Sequence, residues 1–294
     1  MKLFDAHAHV YSGDATRYPV DVSNAKESPE ALLKRIAEHP IDEARLLAEW
    51  DAAGVSAGTA VQYNSIYKSD NSYMLDVVDS HPGRMSAVLI LDAQRADTPA
   101  KLAELAAAHD VAGLRLFGWP GPEENYPWFD SPEAHRTWET AAALGLAMDM
   151  MYIPAPASRN VLNRIVAFAR RFPELPIVLD HCGWPHVDRG TEGAIGAELV
   201  ELAEVANIHF KFTQINWNRF AEVVGGVDPA GFVRRLVDLY GADRVMWGSD
   251  IGNTKDSYAT MVEMAIAATA LLSEAERQAV LHDTGRRVFG RRRA

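Results

Sequence analysis

Cysteine is almost absent from this sequence. Of its 294 residues, only Cys182 carries a thiol. A single cysteine excludes an internal disulfide framework, and it also excludes four-cysteine and paired CxxC metal sites. Long uncharged apolar runs are missing as well, because the longest one near the C-terminus, Met261 to Leu272, contains Glu263 and is shorter than the roughly 20 residues of a membrane span. We therefore expect a protein of a reducing compartment without a membrane partner.

Basic residues are also scarce. There are 29 Lys+Arg against 40 Asp+Glu, which gives a formal net charge of −11. A nucleic-acid-binding surface needs an excess of basic side chains to neutralise phosphates, so this balance argues against one. The first ten residues, MKLFDAHAHV, lack the apolar core of a signal peptide. With 48% hydrophobic residues the composition is that of a globular protein, and we predict a soluble, cytoplasmic one.

Two sequence patterns alternate along the whole chain. Eight short apolar runs, rich in β-branched or aromatic residues, are separated by segments with helical periodicity. The predicted strands are Leu3–Val10, Ala57–Asn64, Met85–Asp92, Val111–Gly118, Leu146–Tyr152, Ile177–Gly183, His209–Asn216 and Arg244–Asp250. The predicted helices are Ile41–Ala53, Asn71–Ser80, Pro99–His109, Pro132–Leu144, Ala157–Arg171, Gly193–Ala206, Pro229–Tyr240, Ser257–Ser273 and Ser273–Phe289.

Repeated strand and helix units with near-continuously apolar strands are what a closed parallel barrel requires. No linker rich in Pro, Gly or Ser divides the chain. We therefore predict an α/β fold, a single (β/α)8 TIM barrel that spans residues 1–294. The longest irregular stretch, Tyr11 to Pro40, is predicted to be a loop over the rim at the carboxyl ends of the strands, where such barrels carry their sites.

Two histidines end the first predicted strand, in the sequence Asp5-Ala6-His7-Ala8-His9. Because strand side chains alternate, we expect Asp5, His7 and His9 on one face, with both imidazoles converging on the barrel mouth. Imidazole pairs placed in this way are suited to binding a metal ion. The alternative is a pair of rim histidines that only form hydrogen bonds to loops.

The end of the last predicted strand, Trp247-Gly248-Ser249-Asp250, carries a carboxylate. At the end of an apolar barrel strand, Asp250 is expected to face the same mouth as the histidines. There it can act as a general base or as a metal ligand. Alternatively, its carboxylate caps the helix that follows.

A third histidine ends the sixth strand, in Leu179-Asp180-His181-Cys182-Gly183-Trp184. A neutral His181 ring can polarise a carbonyl, and a protonated ring can hold an anion. The alternative is a ring hydrogen-bonded within its loop. Alternation places Cys182 on the opposite face, so we predict a packed thiol and not a nucleophile.

Arg115 is predicted on the inner face of the fourth strand, where its guanidinium can bind a substrate carboxylate or an oxyanion. A structural ion pair, for instance with Asp149, is the competing interpretation. Aromatic residues after strand ends are predicted to form a rim for a flat or cyclic substrate, although each of them can also be loop packing. They are Trp119, Trp128, Tyr152, Trp184 and Trp217.

The order of the motifs resembles the amidohydrolase superfamily, and more narrowly its amidohydrolase-2 group. The motifs are FDAHAHV, AAGV, HPGRM, GLRLF, VLDHCGWP, FKFTQIN, RVMWGSD and GRRVFG. The resemblance implies hydrolysis at a carbonyl, with His7 and His9 as metal ligands and Asp250 accepting a proton from the attacking water. The branch that is most similar contains pyrone-dicarboxylate lactonase and the sugar-acid lactonases, which implies that Arg115 and His181 bind substrate.

The sequence departs from the superfamily's two-metal pattern. Arg115 stands where a carbamylated lysine would bridge two metals, and Met150 and Met151 stand where a ligand histidine would lie. We therefore expect at most one divalent ion, zinc or manganese, held by His7, His9 and Asp250. Because the pyrone-dicarboxylate lactonase type works without a metal, a site without an ion is the alternative.

These residues suit the opening of a lactone, or a similar activated cyclic ester, of a small organic or sugar acid. Asp250 is the predicted base, and the three histidines polarise the carbonyl. Arg115, Tyr152 and Trp184 are the predicted substrate-binding residues, for a small molecule with a carboxylate or hydroxyls. One alternative is a metal-dependent decarboxylase of a small unsaturated or aromatic acid, and another is a non-catalytic binding barrel. A homo-oligomer is left open.

Overall fold

Eight parallel strands form the centre of the protein in a computed structural model, which describes residues 2–23, 27–118, 126–151, 158–185 and 195–290. The strands are β1 (Leu3–Ala8), β2 (Val55–Val61), β3 (Met85–Ile90), β4 (Val111–Phe117), β5 (Ala147–Met151), β6 (Ile177–Asp180), β7 (Ile208–Phe212) and β8 (Val245–Trp247). Each strand pairs in parallel with the next. The predicted α/β barrel is confirmed.

Helices connect and surround the strands. They are α1 (Pro29–Glu38), α2 (Glu43–Ala53), α3 (Asn64–Tyr67), α4 (Ser72–Ser80), α5 (Thr98–Ala108), α6 (Pro127–Asp130), α7 (Pro132–Ala143), α8 (Ser158–Arg171), α9 (Ala197–Val200), α10 (Gln214–Val224), α11 (Pro229–Tyr240), α12 (Tyr258–Ala268), α13 (Glu274–Gln278) and α14 (Thr284–Phe289). In the described part of the chain, no helix has the length and apolar character needed to cross a membrane.

The bounds of several predicted segments differ from those in the structure. The expected loop from Tyr11 to Pro40 contains α1, whose N-cap Ser28 accepts a hydrogen bond from the backbone of Ala31. The seventh strand is shorter than expected, since α10 begins two residues after its end. The expected helix 193–206, described from residue 195 onward, consists of α9 and a short 3-10 turn, Glu201–Glu204.

The barrel interior changes from apolar to polar along the strands. Small and medium apolar side chains from the strands, with two residues of α14, fill the end nearest the strand starts. They are Phe4, Ala6, Ala57, Val61, Val88, Ala112, Ala147, Val178, Met246, Val288 and Phe289. Closer to the carboxyl ends, the buried polar residues Arg115, Asp149, Asp180 and Lys211 replace them. This polar layer lies directly beneath the mouth, so it determines the electrostatics of the site.

A β-bulge in β1 separates Asp5 from the two histidines. Asp5 pairs with Gly58 and Ala8 with Ala60, so β1 has one residue more than β2 in this interval. Asp5 therefore faces the helices, where its Oδ2 accepts hydrogen bonds from Trp50 Nε1 at 3.3 Å and Tyr258 Oη at 3.0 Å. The prediction that Asp5 shares a face with His7 and His9 is wrong, because alternation does not continue through a bulge.

The first and last strands meet at a seam beside the mouth. Asp250 N donates to His7 O at 2.7 Å, and His9 N donates to Ile251 O at 3.1 Å. Asp5 continues the seam, since its Oδ1 accepts from Ser249 N at 2.8 Å and its Oδ2 from Ser249 Oγ at 2.6 Å. Glycine is required at position 248, because a Cβ there would lie 2.5 Å from His7 Cβ. The seam therefore places β1 and Asp250 side by side.

Candidate active site

Three ligand-type atoms converge at the mouth of the barrel. His7 Nε2 lies 3.3 Å from His9 Nε2 and 3.5 Å from Asp250 Oδ1, and His9 Nε2 lies 3.3 Å from the same oxygen. Two ligands about 2.0–2.2 Å from a tetrahedral ion lie about 3.3–3.6 Å apart. The three atoms therefore form one face of a tetrahedron around a position that a small divalent ion fits, with the fourth direction left for water or substrate. The prediction that these residues come together agrees with this geometry.

Asp250 is fully buried at this position, with a left-handed backbone φ of 61°. Its Oδ2 accepts a hydrogen bond from Asn253 Nδ2 at 3.0 Å, whereas its Oδ1 has no hydrogen-bond donor among the described residues. Burial by itself raises the pKa of the Asp250 carboxyl, but the imidazoles of His9, His181 and His7 outweigh burial and hold that pKa well below its usual range. The carboxylate is therefore charged at neutral pH. The helix that follows is capped by Ser257 instead, so Asp250 has no capping role there.

The Nδ1 atom of His9 fixes the orientation of its ring. Its Nδ1 lies 2.8 Å from Val61 O, which can only accept, so Nδ1 carries the proton. The ring also stacks on Tyr63, with centroids 4.5 Å apart and planes 17° apart. In the neutral ring, Nε2 therefore presents a lone pair to the centre of the site, as a metal ligand or a hydrogen-bond acceptor does.

His7 contacts a charged group of each sign. Its Nδ1 lies 3.2 Å from Asp180 Oδ1 and 3.2 Å from Lys211 Nζ. Burial, followed by the positive charge of Lys211, holds the pKa of His7 well below its usual range. The ring is therefore neutral at pH 7. When Nδ1 donates to Asp180, Nε2 is free to bind an ion, in the carboxylate–histidine–metal arrangement common in metalloproteins.

His181 enters the mouth through a left-handed turn. Four consecutive residues have positive φ: His181 at 52°, Cys182 at 57°, Gly183 at 67° and Trp184 at 51°. Asn216 Nδ2 donates to His181 O at 2.8 Å, and His181 Nδ1 lies 2.7 Å from the Thr213 hydroxyl. Because non-glycine residues avoid this conformation, tertiary contacts of this kind are needed to maintain it.

Burial lowers the pKa of His181 to about 4, so its ring is also neutral at pH 7. A neutral ring whose Nδ1 accepts from Thr213 carries its proton on Nε2 and can donate to a carbonyl. Cys182 is buried, and burial raises the pKa of its thiol well above the usual value. This agrees with a packed thiol, because a nucleophilic cysteine needs a lowered pKa.

Arg115 lies inside the barrel, as alternation predicts. Its Nε donates to Asp180 Oδ2 at 2.9 Å, and its Nη2 lies 2.8 Å from the same oxygen. Asp149, the partner suggested by the sequence, is more distant, with its Oδ2 4.0 Å from Arg115 Nε. The guanidinium also lies 5.6 Å from the centre of the Phe117 ring. Arg115 therefore has a structural ion pair, and this pair orients it beneath the mouth.

The predicted aromatic rim is found only in part. Trp184 contacts His181 edge to face, with ring centroids 4.9 Å apart, and it packs in an apolar cluster with Ile90, Phe117 and Met151. Trp128 meets the Phe117 ring at 6.3 Å. Trp217 instead packs among core aromatic residues of α10 and α11, so it is not a rim residue. Tyr152 and Trp119 lie outside the described residues.

Lys211 is a fully buried residue of the site that is not among the site residues predicted from the sequence. Its ammonium donates to Asp149 Oδ1 at 2.8 Å and to Asp180 Oδ1 at 2.9 Å. Burial and the neighbouring Asp180 raise the pKa of Asp149, whereas Lys211 and Arg115 overcome burial and hold the pKa of Asp180 well below its usual range. The signal was present in the sequence: a lysine between two phenylalanines in an apolar strand is on the inner face by the same alternation that placed Arg115.

Known proteins with similar sequences and structures point to one family. The profile of the family described as Amidohydrolase matches residues 4–291. The chain is 30% identical over 183 residues to L-fucono-1,5-lactonase of Burkholderia ambifaria, a match that covers 62% of this chain and only 60% of that protein. It is 27% identical to 4-sulfomuconolactone hydrolase of Hydrogenophaga intermedia, covering 98% of this chain and 88% of that protein.

A solved structure extends the similarity to the fold. A candidate 2-pyrone-4,6-dicarboxylic acid hydrolase of Pseudomonas putida superposes with a TM-score of 0.74 at 26% identity, covering 98% of this chain and 97% of that one. The family profile and this superposition each span nearly the whole chain. The resemblance of the strand-end motifs is thereby confirmed, and the chain belongs to the amidohydrolase family of enzymes.

Proposed function

We propose that this enzyme hydrolyses a lactone, or a similar activated cyclic ester, of a small organic or sugar acid. The observation that carries the proposal is the convergence of His7, His9 and Asp250 on one point at the mouth, with the neutral ring of His181 beside them. Such a site can activate a water and polarise a carbonyl at neutral pH. The names of the two curated relatives, a lactonase and a lactone hydrolase, support the ester class.

Asp250 is the group that we assign to the attacking water. When no ion is bound, its unpartnered Oδ1 accepts a hydrogen bond from the water and then its proton, as the water oxygen bonds to the ester carbonyl. His181, when its Nε2 carries the proton, donates to the oxygen on which negative charge develops. The ring C–O bond then breaks, and the leaving alkoxide takes the proton that Asp250 received, which gives the open hydroxy acid and regenerates the Asp250 carboxylate.

The residues at the mouth fit one divalent ion. His7, His9 and Asp250 offer two nitrogen ligands and one oxygen ligand with suitable separations, and Asp250 Oδ1 is a buried charged atom without a donor among the described residues. Zinc and manganese suit this donor set. When bound, the ion would supply Lewis-acid polarisation of the carbonyl.

Arg115 is the proposed contact for a carboxylate or carbonyl oxygen of the substrate, together with Trp184 and Tyr152. We expect Arg115→Met to raise KM about tenfold and to change kcat much less, because a charge-assisted contact made equally in ground and transition states is worth about 1.5–3 kcal/mol. Steady-state kinetics of the folded variant measures this split. Arg115→Lys is the matched control, because lysine keeps the positive charge but lacks the planar guanidinium and its paired N–H donors. If KM were unchanged in both variants, Arg115 would not bind the substrate, and its role would be the ion pair with Asp180.

The experiment that tests the function is turnover of a lactone panel, covering sugar-acid lactones and unsaturated lactones with a carboxylate, in weak buffer with a pH indicator. Lactone opening releases an acid, so the indicator should report proton release on at least one member. Mass spectrometry of the product should show the addition of water. Loss of carbon dioxide from an unsaturated acid would favour the decarboxylase alternative, and tight binding without turnover would favour the binding barrel.

A further inference from the structure

Lys211 is a fully buried ammonium surrounded by groups that bind cations. Its Nζ lies 2.8 Å from Asp149 Oδ1, 2.9 Å from Asp180 Oδ1 and 3.2 Å from His7 Nδ1. A ring, Phe289, covers the ammonium from the closed end of the barrel, with its centroid 4.9 Å away. The ammonium therefore donates to two carboxylates and lies against the imidazole of His7.

Without the ammonium, those partners would constitute a second metal site. One ligand atom each from His7, Asp149 and Asp180 lies within 4.8 Å of the others, and all three residues are buried. The second oxygen of Asp149 has no hydrogen-bond partner among the described residues, which leaves this carboxylate with an additional ligand atom for a cation. Two carboxylates and an imidazole suit manganese or zinc.

We propose that Lys211 is a built-in cation that occupies a second cation site, between His7, Asp149 and Asp180, and that this occupation keeps divalent ions out of it. The ammonium is tethered to β7 and cannot dissociate, so a free ion would have to displace it from two charge-assisted hydrogen bonds. Lys211 also provides the counter-charge for these two buried carboxylates.

His7 connects the two cation positions through its imidazole ring. Its Nε2 belongs to the group formed with His9 and Asp250, while its Nδ1 faces Lys211 and Asp180. Lys211 is therefore a positioning residue for His7 and does not reach the His9 and Asp250 side of the ring. Because the proposal concerns ion binding, its test is independent of whether the enzyme hydrolyses lactones.

Measuring the number of bound ions tests the proposal. The full-length wild type and Lys211→Ala are each incubated with excess Zn²⁺ or Mn²⁺, desalted and subjected to elemental analysis. Lys211→Ala should hold one equivalent more than the wild type, since the alanine exposes Asp149, Asp180 and His7 Nδ1. When both sites are filled, His7 would bind the two ions as an imidazolate, and its ring proton would be released to solvent. The triple variant that adds Asp149→Asn and Asp180→Asn should lose this additional equivalent. The proposal would be wrong if folded Lys211→Ala protein bound the same number of ions as the wild type. It would also be wrong if the wild type bound a second equivalent of the ion that Asp149→Asn did not bind.

A stability measurement covers the case in which Lys211→Ala does not fold. Lys211→Met leaves two buried carboxylates without their cation, so its Tm should fall by about 10 °C or more. Adding Asp149→Asn removes one negative charge together with the positive one, and it should restore more than half of that loss. A double variant as unstable as Lys211→Met alone would show that the ammonium does not act as the counter-ion of this site.

Discussion

Replacing Asp250 with asparagine is expected to lower kcat by at least about a hundredfold, the lower range for loss of a positioned general base. Asparagine has the same shape and can still accept from Asn253 Nδ2, so the backbone turn at this position should be preserved. What disappears is the negative charge of a buried carboxylate whose pKa lies well below its usual range. The measurement is kcat on the best substrate of the lactone panel, with circular dichroism and Tm to verify folding.

Asp256→Asn is a suitable control for this variant. Asp256 lies on the same connection after β8, and its Oδ2 accepts a hydrogen bond from Asn218 Nδ2 at 2.9 Å. It belongs neither to the ion-binding group nor to the proposed proton transfer, so its amide should leave kcat within a few-fold of the wild type. If folded Asp250→Asn protein retained near wild-type turnover, the assignment of Asp250 as the base would be wrong.

Asp5→Ala is expected to reduce the free energy of unfolding by about 4 kcal/mol or more, or to prevent folding. The Asp5 carboxylate is buried and accepts hydrogen bonds from His7 N, Ser249 N, Ser249 Oγ, Trp50 Nε1 and Tyr258 Oη. Each buried donor left without an acceptor costs about 1–3 kcal/mol. Urea denaturation of the variant measures the loss.

Two further variants make this result interpretable. Asp5→Asn replaces one acceptor oxygen with a donor, so its stability should lie between those of the wild type and Asp5→Ala. Asp51→Ala removes a mostly exposed carboxylate that pairs with Arg84, and an exposed pair of this kind contributes about 0–1 kcal/mol. Equal losses for Asp5→Ala and Asp51→Ala would contradict the role of Asp5 in joining β1 to β8.

Two patterns in the sequence predicted much of this molecule. Apolar runs between helical segments indicated eight parallel strands, and period-two alternation within the strands placed Arg115 inside the barrel. His7, His9 and Asp250 were expected near one another because they stand at strand ends. These predictions hold because a side chain's face in a regular strand depends only on its position. They needed no knowledge of the loops, whose paths depend on contacts between residues far apart in the sequence.

Alternation failed where the backbone is irregular. The extra residue in β1 rotates Asp5 away from the histidines, and a bulge cannot be inferred from the letters Asp-Ala-His-Ala-His. The left-handed turn at His181 depends on Asn216 and Thr213, which are more than thirty residues away. Asp149, Asp180 and Lys211 come from the neighbouring strands β5, β6 and β7, and their meeting in one cluster is a property of the closed barrel.

The seam between β1 and β8 also determines when the site can form during folding. Asp5 and Ser249 are 244 positions apart along the chain, and the hydrogen bonds between them are among the most non-local in the molecule. The entropic cost of closing such a loop grows with the logarithm of its length, and contacts between distant partners slow folding. His7 lies in β1, His9 directly follows β1, and Asp250 follows β8, so the group formed by these three residues cannot assemble before the two ends of the sheet meet. The proposed active site therefore forms only when these two ends are joined.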